Sequence, residues 1–193
     1  MRAAIESYVP QCAPAGVGGA AARAWAVWGA TLALALTLLG IILGAPLARA
    51  TGHETLALVA YRAWAGLCHQ LPTRSFYLAG QPLAVCARCF GIYAGFVVGV
   101  VVYPFVRSLR RTDDLARRWL LLAALPTGVD FALGVTGLWA NTHTSRALTG
   151  ALLGAVAALY VVTGLLDLSR HMWPSERRKF DLPSLSTVEG IVE

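Results

Sequence analysis

Charge is scarce in this sequence. Asp, Glu, Lys and Arg make up 13% of its 193 residues, while 57% are hydrophobic. A soluble domain carries about 25% charged residues. A chain with this little polar surface needs a solvent other than water. Lysine is nearly absent too: fifteen of the sixteen cations are arginine, and Lys179 is the exception. The net charge of +6 does not mark a nucleic-acid binder, because the cations sit at the ends of apolar runs instead of forming a basic domain. Zinc-finger, helix-turn-helix and RNA-binding motifs are missing. So are a Walker loop, a GxSxG elbow, HExxH and a dinucleotide fingerprint. No internal repeat of the kind found in two-repeat transporters is visible.

Long uncharged runs take the place of these features. A helix needs about 20 apolar residues to cross ~30 Å of hydrocarbon. Trp25–Ala48 meets this, with Trp25 and Trp28 at its start where interfacial indoles are expected. Ala48-Arg49-Ala50 also reads as a signal-peptidase site, but the leader before Arg23 is long and the run exceeds an ordinary signal core. Phe90–Val106, Trp119–Gly137 and Ala147–Leu168 are the other three spans, and the second of the four starts as early as Val85. Between the first two, Thr51–Leu67 is too polar to span. Leu56, Val59, Ala60, Ala63, Trp64 and Leu67 recur at helical spacing as one apolar stripe, which predicts an amphipathic helix, interfacial or packed. The expected fold is therefore all-α: a four-span membrane bundle plus one amphipathic helix. Its domains are a leader over 1–22, a single helical domain over 23–168 and a polar tail over 169–193.

Cation counts orient the chain. The leader, the 107–118 connection and the tail hold eleven cations, against five on the other side. The richer side is expected in the cytoplasm. This predicts a multi-pass protein of the cell membrane with both ends inside, and the Cys68–Cys89 loop and the 138–146 turn outside. Glycines at 91, 95 and 99, and at 150 and 154, repeat every four residues and predict close helix packing.

Two groups of residues could carry chemistry. Cys68, His69, Cys86 and Cys89 crowd one loop, and Cys86-x-x-Cys89 is a spacing shared by zinc ligands and redox dithiols. A transition-metal site, with zinc first, accounts for three gathered thiols. A structural disulfide, a reactive thiol, or plain packing of small apolar cysteines are the other readings. The second group is ionic. Asp130 falls inside the third span, where a carboxylate needs a partner or a wet cavity. Arg88 and Arg146 are the candidate partners, with Asn141 on the same face. Together with Arg74 they could bind a small polar or anionic ligand, and Asp130, Arg88, Arg146 and Asn141 are the candidate catalytic groups.

The order of these motifs carries a resemblance. Cys68-His69-Gln70, Arg74-Ser75-Phe76, Cys86-Ala87-Arg88-Cys89-x-Gly91-x-Tyr93 and Asp130…Asn141…Arg146-x-x-Thr149-Gly150 resemble a family of small prokaryotic membrane proteins known as a domain of unknown function. The similarity covers about residues 55–165. It implies that the CHQ, CxRC, Asp, Asn and Arg positions form the family's site, and it implies no reaction. His53, His143 and Cys12 fall outside the pattern. The readings that remain are a metal-binding membrane protein, a membrane thiol enzyme (oxidoreductase or transferase), and a non-catalytic scaffold or transporter subunit. Lipid is the expected partner, with a homo-oligomer admitted and nucleic acid not expected.

Overall fold

The computed structural model describes residues 17–109 and 115–172. Cys12, the expected tail beyond Met172 and the middle of the 107–118 connection lie outside the described residues. What is described is almost wholly helical: α1 (Val17–Ala50), α2 (Glu54–Ala65), α3 (Ala87–Val106), α4 (Arg118–Val135) and α5 (His143–Met172). All but α2 are long and apolar enough to cross a membrane. α1 and α5 outrun the apolar stretches that announce them. Beyond those stretches α1 takes in the end of the segment read as leader, and α5 takes in both the last residues of the 138–146 turn and the start of the tail.

The bundle is organised on α3 and α5, which share its largest interface. Gly91, Gly95 and Gly99 of α3 lie against the backbone of Ala147, Ala151 and Ala155, while Gly150 and Gly154 of α5 lie against Arg88 and Ile92. Every one of these glycines faces backbone so closely that a Cβ would overlap it. Where lipid tails are as apolar as leucine, such contact supplies the attraction that burial from water would otherwise provide. Tyr103 and Thr163, both buried, join their hydroxyls at 3.0 Å across the same interface.

α1 packs against α2, α3 and α5, and α4 leans on α5. One contact between α1 and α3 follows from sequence chemistry. Pro104 has no N–H to give the carbonyl of Val100, four residues earlier. The Trp28 indole donates to that carbonyl instead, at 2.7 Å.

α2 buries Ala57 and Trp64, with Ala60 and Tyr61 half-buried beside them. Leu56, Val59 and Leu67 are exposed. The expected stripe thus divides: Ala60 and Trp64 meet protein, and Leu56, Val59 and Leu67 point away from it. Periodicity counts apolar residues without saying what each one meets, so it merges two faces into one.

The loop between α2 and α3 holds one turn of 3-10 helix at Pro72–Arg74 and a short hairpin, β1 (Tyr77–Leu78) against β2 (Gln81–Pro82). Its turn residues Ala79 and Gly80 both have positive φ, at 50° and 75°. This is the combination that a two-residue hairpin requires.

Candidate metal centre and polar cluster

Cys68 follows the end of α2 and its N–H bonds to the Trp64 carbonyl at 2.9 Å. Cys86 caps α3 and Cys89 sits in that helix's first turn. Gln70 of the CHQ motif holds the two segments together. Its side-chain amide donates to the carbonyls of Tyr61 and Ala84, each at 2.7 Å, from a backbone with φ 49°. Tyr61 ties α2 to the hairpin by donating to the Pro82 carbonyl. This clamp carries Cys68 to the mouth of α3.

The three sulfurs lie within 4.8 Å of one another, and those of Cys86 and Cys89 are 3.4 Å apart. The three residues are free cysteines. The Cys86 N–H donates to the Cys68 sulfur at 3.2 Å. A hydrogen bond from Cys89, strengthened by backbone N–H groups of Cys89 and Arg88, holds the Cys86 thiol well below its ordinary pKa against the opposing effect of burial. The arrangement therefore favours thiolate at Cys86. Around a tetrahedral zinc with bonds of ~2.3 Å, thiolates stand about 3.8 Å apart. The triad needs only small adjustment to reach that spacing. His69 is exposed and does not belong to the sulfur group.

Ile42 and Ala45 of α1, Trp64 of α2, and Ala84 and Val85 wall the thiols, with Tyr61, Phe90 and Tyr93 packed against them. Among the described residues no carboxylate joins the three sulfurs. Trp64 is 4% exposed, and its indole N–H has no acceptor among the described residues.

The polar cluster occupies a different face of the same turn. Arg88, between the two α3 cysteines, turns toward α4 and forms an ion pair with Asp130. Ser145 donates to the other carboxylate oxygen at 3.0 Å, and the Asn141 amide donates to the Asp130 carbonyl. The Arg88 and Asp130 side chains are 21% and 10% exposed. The Phe131 ring lies 5.6 Å from the guanidinium. The Arg88 Nε and the Asn141 Oδ1 are buried without partners among the described residues. Arg146 is half-buried, and its side chain makes no hydrogen bond or ion pair among the described residues; Arg74 is exposed. His143 reaches the Thr73 carbonyl at 3.2 Å, which joins the start of α5 to the loop carrying Arg74. The thiols and the ionic cluster thus flank α3 on its α1–α2 and α4–α5 sides.

Residues 68–160 match the family model described as "Predicted membrane protein (DUF2085)". An uncharacterized protein of Methanocaldococcus jannaschii is 37% identical over 110 residues, covering 55% of this chain and 69% of that protein. An uncharacterized protein of Methanothermobacter thermautotrophicus is 33% identical over 100 residues, covering 52% of this chain and 86% of that protein. The chain belongs to the DUF2085 family of membrane proteins. The matched segment begins at Cys68 and ends at Tyr160 within α5, so it contains both clusters. No solved structure matches the chain.

Two participants escape a reading of the sequence. Gln70 stands in a motif, but its bridging role depends on where Tyr61 and Ala84 meet. Ser145 offers no signal beyond its place beside Arg146.

Proposed function

We propose that this protein holds a transition metal, zinc first, on Cys68, Cys86 and Cys89 at the extracytoplasmic mouth of a four-span bundle of the cell membrane, with both chain ends in the cytoplasm. The convergence of three free thiols from two separate segments carries the reading. Thiolates are soft donors, and the lack of carboxylates among them disfavours calcium and magnesium. The N–H donated to the Cys68 sulfur is the kind of outer contact that steadies a ligating thiolate. The eleven-to-five division of cations supports the orientation.

The ionic cluster is the second part of the proposal. Arg88, Asp130, Asn141 and Ser145, with Arg146 and Arg74 at the rim, form a site for a small polar or anionic ligand. The unpartnered Arg88 Nε and Asn141 Oδ1 supply a free donor and a free acceptor there.

Elemental analysis of purified protein, combined with thiol counting, tests the metal reading. One metal per chain, lost when all three cysteines become serine, is expected. Stoichiometric metal that survives the triple change rejects the site. A second reading is a membrane thiol oxidoreductase, favoured by the 3.4 Å separation of the Cys86 and Cys89 sulfurs and the lowered Cys86 pKa. A mapped Cys86–Cys89 disulfide in metal-free protein would select it.

A further inference from the structure

We infer that the three-thiolate centre is an open site whose fourth ligand comes from outside the chain: a small Lewis base that, once bound to the metal, still accepts a hydrogen bond. The inference rests on the metal reading and names what the site would take. Tetrahedral zinc needs four donors, and closed structural sites draw all four from protein. Among the described residues the group offers three, and His69, the nearest in sequence, is exposed and outside it.

A second observation concerns Trp64. A buried indole N–H ordinarily finds an acceptor. Trp64 is buried in the cluster that contains the thiols, and its N–H has none among the described residues. Its place is fixed on both sides. It precedes Cys68 by one helical turn, and its ring meets the edge of Tyr93 with centroids 4.8 Å apart. Tyr93 follows Cys89 by one turn of α3. Indole and phenol therefore form the layer next to the sulfurs. An acceptor bound at the metal's vacant position would satisfy the indole. Water, hydroxide or a small thiolate has the required chemistry. A ligand whose uncoordinated end only donates does not.

Cobalt-substituted full-length protein in lipid nanodiscs gives the test. Sulfur-to-cobalt charge-transfer absorption counts the thiolates, and the ligand-field bands follow the fourth position. Azide keeps acceptor nitrogens after coordination, whereas imidazole then presents only an N–H. Both are expected to shift the ligand-field bands of the unaltered protein. Trp64→Phe should leave the charge-transfer bands intact, weaken azide binding about five-fold, as loss of one hydrogen bond implies, and leave imidazole binding unchanged. His69→Ala should alter none of these spectra. Absent charge-transfer bands would overturn the metal reading itself. Three-thiolate bands that neither probe perturbs, or that change with His69→Ala, would leave the metal in place and overturn the open site. Equal weakening of azide and imidazole by Trp64→Phe would overturn the role given to the indole.

Discussion

Gly95→Ala adds one methyl group at the tightest part of the α3–α5 interface, and the structure states what it would strike. A Cβ at Gly95 would fall 2.6 Å from both the Cα and the carbonyl carbon of Ala151, and nearer still to its oxygen. Ordinary contact begins at 3.4 Å, so clearing the two carbons alone would part the helices by about 0.8 Å at that level, and clearing the oxygen by more. Backbone cannot swing aside as a side-chain tip can. The separation would also loosen the contacts of Gly91, Gly99, Gly150 and Gly154. Overpacking of this kind costs about 1–3 kcal/mol. Gly40→Ala in α1 is the matched control, because nothing lies within 4 Å of its Cβ. There, relief of glycine's poor helix propensity should stabilise by up to about 1 kcal/mol. Unfolding of the purified protein in mixed micelles, titrated with a denaturing detergent, compares the two. A Gly95→Ala protein as stable as Gly40→Ala would refute the backbone-to-backbone interface.

Further outcomes follow from the two clusters and the orientation. Asp130→Ala should destabilise by about 3–5 kcal/mol by leaving Arg88 buried and unpaired, and Arg88→Met with Asp130→Leu should recover most of that loss in the same titration. Gln70→Ala should lower metal affinity about 10–100-fold in a chelator competition while the helical circular dichroism stays unchanged. In metal-free protein the Cys86 pKa lies below its unfolded value, so the stabilisation it contributes is present above the unfolded pKa and lost as pH falls through the lowered one. Its alkylation should therefore persist at pH values where ordinary thiols have stopped reacting, and Cys89→Ala should abolish that persistence. A fluorescent-protein fusion after Met172 should fluoresce in the cytoplasm, and an alkaline phosphatase fusion at residue 80 should be active outside; a dark fusion after Met172 with a silent one at residue 80 would reverse the orientation.

The four spans were legible because each is a long apolar run, and the glycine repeats pointed to the faces that meet. Other features need three dimensions. Arg88 and Arg146 both start helices near Asp130, and sequence offers no way to choose between them. Arg88 makes the contact because it shares the α5-facing side of α3 with Gly91, which brings it round to α4. The hairpin was missed because its turn is Ala79-Gly80, without the Asn or Asp that usually announces one, and its strands are two residues long. The apolar stripe of α2 reads as one face because periodicity does not say which of its residues meet protein. The thiol cluster was visible as a motif, but its wall was not: Ile42 and Ala45 lie far from the cysteines in sequence and reach them only because α1 passes beside α2.

Pro104 would ordinarily be read as a weak point in its helix. Paired with Trp28 it acts as a register mark. Sliding α1 along α3 by one turn, about 5.4 Å, would return the Val100 carbonyl to hydrocarbon with no donor, at a cost of several kcal/mol. The two helices are thus indexed to one another at a single atom pair. Ile42 lies fourteen residues further along α1, about 21 Å away, and is buried in the wall of the thiol cluster. Because a helix is stiff over that length, an alignment set at one end of the bundle determines which side chains cover the sulfurs at the other.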